Sequence, residues 1–310
     1  MLRPVFFSKQ GGFKENIIMK QNRRTFIAQS AGMAAGLGAL GVGDLLGRIA
    51  DTKPAWPGPI GLALYTVRNE FGMQPAHTLK EVAAIGYKEV EGGMGKPTAE
   101  ELAGYLKDAG LTMRSGHFDY PSDLGKYAKA IEFARKLGMQ YMCCSFSDSK
   151  TVEGWKKIAD DFNRAGKQVA DAGMQFAYHN HLQEFRPVGD TNGYEILIAN
   201  TDPKRVKFQI DIFWMTWAKQ DPVAYLKRLA DRVPMLHIKD RKKGWKWDQY
   251  KFPAEKEVPY TEVGSGAIDW KRIFENASGV KHIFVEQDLW DRKPIESARM
   301  SYEYLRNLTL

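Results

Sequence analysis

The chain has 310 residues, 44% of them hydrophobic, enough to bury one large core or two small ones. Its formal charge of +8 points to a nucleic-acid partner only until the charge is located. Seven of the 45 basic residues but only two of the 37 acidic ones fall in residues 1–50, so the rest carries 38 against 35, a net of +3, which excludes a general polyanion-binding surface.

The basic excess belongs to an N-terminal segment, MKQNRRTFIAQSAGMAAGLGALGVG, in which Arg23 and Arg24 precede a stretch rich in Ala and Gly. This pattern resembles a twin-arginine export signal and predicts delivery to the periplasm in folded form. Gly and Ala where Leu and Ile would be needed leave it too weakly apolar for a stable membrane span. The alternative is an amphipathic N-terminal helix. Residues 1–55 are assigned to signal and linker, and residues 56–310 to the folded domain. Cys143 and Cys144 are the only cysteines and are adjacent, so no disulfide framework is expected and the core must carry the fold.

The first predicted strand is Ile60–Val67. Four stretches then share one grammar: AAIGYKEVEGG, KDAGLTMRSGH, RKLGMQYMCCS and ADAGMQFAYHN. In each, a helical pattern closes at Gly86, Gly110, Gly138 or Gly173 and a short apolar strand follows. Glycine suits that position because it lacks the Cβ that makes the left-handed conformation costly. The glycines are 24, 28 and 35 residues apart, the size of a strand, a helix and two loops.

The repeat predicts strands at Tyr87–Glu91, Thr112–His117, Gln140–Ser145 and Gln175–His179, with helices at Thr98–Ala109, Leu124–Leu137 and Val152–Ala172. Strands at Lys207–Asp211, Met235–Ile238 and His282–Glu286 complete the set, with helices at Pro222–Ala230 and Pro294–Leu305. Eight strands alternating with helices predict an α/β fold, a single (β/α)8 TIM barrel. The rival is an open doubly wound sheet, but its Gly-rich phosphate loop is absent after the first strand, where the chain reads GLALYTVRNEF.

Active sites of such barrels lie at the C-terminal ends of the strands. The polar residues there are Tyr65, Glu91, His117, His179 with His181 and Glu184, Asp211, His237, and Glu286 with Asp288, and they include four of the six histidines. A carboxylate ending a buried strand is costly unless it is paired or bound to a cation. One Glu, one Asp, one His and a second Glu form a mixed oxygen and nitrogen set suited to Mn, Mg, Co or Zn. Each residue alone could equally be a satisfied polar cap.

The segments GLALYTVR, AYHNHLQEF, DIFW followed by Asp221 and Pro222, LHIKD, EVGSGAIDW and FVEQD resemble the xylose-isomerase-like barrel superfamily, the sugar phosphate isomerases/epimerases, over about Pro59 to Leu308. The resemblance implies one divalent metal held by Glu184, Asp211, His237 and Glu286. If the loop after the fifth strand does not fold back, His179 or His181 replaces Glu184 as ligand. It also implies a carbohydrate substrate that loses a proton beside a carbonyl polarised by the metal, with Glu184 and Glu286 as the alternating acid and base. His179 and Lys239 join the expected catalytic residues, and Tyr65, Glu91, His117, His181 and Trp214 those that touch substrate; a core role for His181 is the alternative.

Many epimerases of this superfamily have a His where Trp214 stands, and an indole cannot shuttle a proton. That departure favours a relative that eliminates, such as an inosose-dehydratase-like or 3-keto-glycoside lyase, over plain isomerisation. The stretch KDRKKGWKWDQYKFPAEKE adds Trp245, Trp247 and Tyr250, expected as a sugar-stacking lid, a homo-oligomer contact or a solvated loop. A nucleic-acid enzyme of the same fold is disfavoured by the near-neutral charge and the scarcity of His. The non-enzymatic alternative is a periplasmic sugar-binding barrel.

Overall fold

The computed structural model describes residues 53–254 and 257–310, so the export-signal reading lies outside the described residues. Eight parallel strands close into a barrel: β1 (Ile60–Ala63), β2 (Glu89–Gly93), β3 (Thr112–Phe118), β4 (Tyr141–Cys144), β5 (Gln175–His179), β6 (Val206–Asp211), β7 (Met235–Ile238) and β8 (His282–Val285). Each pairs with its neighbours in sequence, and β8 returns to β1 through Ile60↔Ile283 and Leu62↔Val285. The (β/α)8 barrel expected from the repeat is the architecture observed.

The helices packed around it include α1 (Arg68–Met73), α2 (Pro75–Ile85), α3 (Ala99–Ala109), α4 (Leu124–Lys136), α5 (Val152–Asp171), α6 (Gly193–Asn200), α7 (Ile212–Trp217), α8 (Pro222–Arg228), α9 (Trp270–Glu275) and α10 (Pro294–Asn307). Their starts follow from capping chemistry. Thr98 and Glu101 form a reciprocal capping box on α3, while Asp123, Thr151 and Asn192 accept backbone N–H bonds at the starts of α4, α5 and α6. The four glycines of the repeat all adopt positive φ, at 127°, 67°, 67° and 82°.

Many element ends differ from the sequence reading by one or two residues, and two boundaries differ by more. β1 stops at Ala63, and Leu64–Val67 form a 3-10 turn. Thr66 and Val67 carry β-branched side chains that favour a strand, but Thr66 Oγ1 accepts the Gln287 N–H at 3.1 Å and bends the chain over the rim. At the other end, residues 53–55 already belong to the barrel: Ala55 N donates to Leu308 O at 2.8 Å, and Lys53 O accepts from Leu310 N at 3.0 Å.

Because strand side chains alternate, the residue two before each rim residue also points inward. Tyr141, Cys143, Ala177, Met235 and Phe284 form a small core inside the barrel, separate from the large core between strands and helices. Gln209 in β6 shares this inner layer and is fully buried. The rim above β7 is held by Asp240, whose carboxylate accepts from the N–H groups of Arg241, Gly264, Gly266 and Ile268 and from Trp270 Nε1, at 2.7 to 3.3 Å. LHIKD and EVGSGAIDW are therefore one hydrogen-bonded unit. Gly266 has to be glycine there, since a Cβ would lie 2.1 Å from Asp240 Oδ1. Asp240 and Arg241 also pair antiparallel with Tyr260 and Thr261, closing the base of the loop between them.

Candidate active site and metal centre

Asp211 ends β6 and caps α7: its Oδ1 accepts the Trp214 N–H at 2.8 Å. Its Oδ2 is buried without a hydrogen-bond partner. That oxygen lies 4.0 Å from His179 Nε2, 4.0 Å from His237 Nδ1 and 3.2 Å from Lys239 Nζ. His237, at the middle of β7, faces a carboxylate at each ring nitrogen, with Nδ1 3.0 Å from Glu286 Oε2 and Nε2 in a short contact with Glu91 Oε2. Lys239 is 1% exposed and places Nζ 2.7 Å from Glu286 and 3.0 Å from Asp288.

Gln209 fixes the imidazoles. Its Nε2 can only donate and does so to Glu91 Oε1 at 2.8 Å, so its Oε1 accepts from His117 Nε2 at 2.7 Å and His179 Nδ1 at 3.0 Å. His179 is thereby held with Nδ1 protonated and the Nε2 lone pair turned toward Asp211. Burial, and then the neighbouring His237 and His117, hold His179 well below the usual histidine range, so it is neutral.

The electrostatics are those of a crowded acidic centre. Glu91, Asp211, Glu286 and Asp288 are four carboxylates facing His237 and Lys239, with His117 beside Glu91 as well. Burial raises Asp211 to about 6 despite Lys239 and His237. Burial also opposes ionisation of Glu91, but the charges of His117 and His237 outweigh it and bring the group to about 2. His237 moves the other way: burial lowers it, yet Glu286 and Glu91 carry it up to about 10. An excess of buried carboxylates, one of whose oxygens has no hydrogen bond and the Lys239 ammonium as its nearest cation, is what a bound cation would complete. Asp211, His237 and Glu286 present ligand atoms all within 4.8 Å of one another, as do His117, His179 and His237. The residues present fit a divalent metal.

Glu184 is not brought to this set. It sits in a 3-10 turn, Gln183–Phe185, and its carboxylate turns back to the Tyr178 hydroxyl and to the His181 N–H, 3.1 Å from each oxygen. Among the described residues no group of three metal-capable side chains contains Glu184, and burial lifts its carboxyl to about 7. His179 stands at the end of β5 in its place. Glu91, expected to touch substrate, is 2% exposed; it contacts His117 and His237 and also lines a smaller cavity with Tyr65, His117 and Glu286.

The other expected residues surround a cavity of about 560 Å³ lined by Tyr65, His117, His179, His181, Trp214 and Glu286. Burial and the nearby Lys239 hold His181 down at about 3, and its Nδ1 has no partner; Trp214 Nε1 is likewise buried and unpaired. A larger cavity of about 670 Å³ lies at the opposite end of the barrel, by Gln140, Gly173 and Lys207, and gathers no comparable cluster. Trp247 does not face the site: its Nε1 donates to Trp217 O at 2.6 Å, and Phe252 from the same loop lines the cavity instead. Gln209 was foreseen by no motif, yet a polar residue two before Asp211 in the apolar run VKFQID signals an inward group.

A closed parallel barrel with buried carboxylates and imidazoles at the C-terminal ends of its strands defines a (β/α)8 barrel with its candidate site in the usual place for that fold. The chain belongs to the xylose isomerase-like TIM barrel family, which it matches over residues 79–308. It is 29% identical to the inosose dehydratase of Clostridium beijerinckii over 167 residues, 51% of this chain and 55% of that protein. It is 26% identical to the inosose dehydratase of Mesomycoplasma hyopneumoniae over 264 residues, 74% of this chain and 87% of that protein. For the first of these the chain spans about half the relative's length. A crystal structure of a sugar phosphate isomerase/epimerase from Parabacteroides distasonis superposes with a TM-score of 0.68 at 26% identity, covering 82% of this chain and 96% of that one.

Proposed function

We propose that the protein is a divalent-metal-dependent enzyme that removes a proton beside the carbonyl of a keto-sugar. The observation that carries this reading is the convergence of Asp211, His237 and Glu286, whose ligand atoms lie within 4.8 Å of one another in a buried cluster holding more carboxylates than cations. Asp211 Oδ2 has no hydrogen bond there and faces the Lys239 ammonium at 3.2 Å. Asp211, His237 and Glu286 would hold the metal, with His179 Nε2 as the fourth donor. When bound, the metal supplies a Lewis acid that polarises the keto oxygen and its neighbouring hydroxyl. Binding it requires His237 to give up the proton on one nitrogen, and the other N–H then stays on a carboxylate partner, as metal-bound histidines commonly arrange.

The proton steps fall to His117 and Lys239. With His117 Nε2 donating to Gln209, the opposite nitrogen, Nδ1, keeps its lone pair for a substrate C–H, and Glu91, 3.2 Å from Nε2, stabilises the imidazolium that results. Burial works against a charge on Lys239, but Asp211, Asp288 and Glu286 hold it firmly protonated, a stored proton for a departing oxygen. His181 and Trp214 line the cavity and would pack against the sugar.

Elimination is favoured over epimerisation. Epimerisation needs a second proton shuttle on the opposite face, and the sequence has Trp214, an indole, where that His would stand. The family relatives named as dehydratases point the same way. The test is metal analysis of the purified protein together with an assay on inososes, free ketoses and 3-keto-glucosides. About one equivalent of metal and loss of water or of an alkoxy group supports the reading. A protein that binds no metal on reconstitution and turns over none of these is a sugar-binding barrel instead. We further propose export to the periplasm through Arg23 and Arg24; a reporter fused to residues 1–55 that stays in place when both are changed to Lys rejects it.

A further inference from the structure

The wall of the 560 Å³ cavity is not uniform. Near the acidic cluster it is polar, lined by His117, His179, His181 and Glu286. Farther out it is aromatic: Phe146 packs edge-on to His181 at 5.6 Å, His181 lies 6.3 Å from Phe252, and Phe252 lies 5.2 Å from Trp214. Phe146 and Phe252 are 47% and 41% exposed, in the same mouth as Tyr65 at 53%. Large apolar groups left in water at the entrance of a site cost free energy that a ligand can recover.

Phe252 is held in that exposed position. Trp217 Nε1 donates to Lys251 O at 2.9 Å, Arg186 Nε donates to Tyr250 O at 3.0 Å, and the Arg186 guanidinium lies 5.8 Å from the Phe252 ring. The charge of the mouth narrows the ligand further. Among the described lining residues the one Lys or Arg is Arg68, stacked between Tyr65 and Trp290 at 4.3 and 4.5 Å and donating to Tyr65 O and Asp288 O. It is already engaged, so among the described lining residues no cation is free to meet a phosphate.

We infer that Phe146 and Phe252 form a second-ring subsite, and that the protein takes a neutral glycoside whose keto-sugar lies over the acidic cluster and whose attached ring lays an apolar face on these two side chains. The attached ring is a second pyranose or an aryl aglycone; the shared chemistry is a flat face of C–H or π character. This rests on the keto-sugar reading above and adds the size and polarity of the substrate.

The test is calorimetric titration of the metal-loaded full chain with methyl and phenyl 3-keto-glucoside. The phenyl compound is expected to bind at least about tenfold tighter, about 1.4 kcal/mol, and Phe146→Ala/Phe252→Ala to bring the ratio of the two Kd values near one. A 3-keto-disaccharide in place of the phenyl compound separates a sugar from an aryl partner, and tighter binding of either supports the subsite. Equal affinities in the wild type, a ratio unchanged in the double variant, absence of binding by all of them, or a preference for a 6-phosphate ester overturns it. Preferential binding without turnover keeps the subsite and removes the catalytic reading; turnover with equal affinities does the reverse.

Discussion

Asp211 and Asp240 are buried aspartates at the same end of the barrel, and their surroundings are opposite. Asp240 receives five N–H bonds and knits two distant segments together. Asp211 receives one, from Trp214, and its other oxygen has no hydrogen bond and only the Lys239 ammonium, 3.2 Å away, close to it. Satisfied carboxylates stabilise the fold, whereas an orphaned one is tolerated where a ligand will complete it.

The largest expected effect separates the two directly. Asp211→Asn should lower turnover by about a thousandfold or more, several kcal/mol of transition-state stabilisation, while denaturant unfolding shows stability unchanged or raised because a disfavoured charge is gone. Retained turnover breaks the contrast. Asp240→Ala should instead lower unfolding free energy by about 3 kcal/mol or more, since buried N–H groups lose their acceptor. An unchanged midpoint would mean that water or relaxation replaces the aspartate.

Gln209→Leu probes the layer beneath. It should weaken metal affinity about 10- to 100-fold by releasing His179 and His117; competition with a chelator reads the affinity. It should also lower the melting temperature, because buried Glu91, His117 and His179 lose a partner. The smallest effect belongs to Glu184→Gln, which should leave metal content intact. The folded carboxyl titrates at about 7 against an ordinary 4.5, so the native state keeps the proton that the unfolded chain loses. Its penalty therefore grows as pH rises from about 4.5 through about 7, and the variant should melt above the wild type at pH 8 and alongside it below pH 4.5. Loss of metal in this variant would return Glu184 to the ligand set.

The barrel was legible because one local rule recurs: a helix closed by glycine, then a short apolar strand. Asp211, His237 and Glu286 were legible because each ends or sits near the end of such a strand, where alternation fixes the inward direction. Glu184 was not, because a carboxylate five residues into a loop has no such constraint; Tyr178 and the His181 amide decide where it points. The aromatic wall escaped for the same reason, since Phe146 and Phe252 come from separate loops that only the closed barrel brings together.

The two-residue ladder joining Asp240–Arg241 to Tyr260–Thr261 has a consequence for how this protein can change over generations. It makes the segment it encloses a cassette, anchored on the rim and ending before the ligand set begins on either side. Under the proposed function, drift in length or composition within that cassette would change the wall that Phe252 gives the cavity while leaving Asp211, His237 and Glu286 on their own strands.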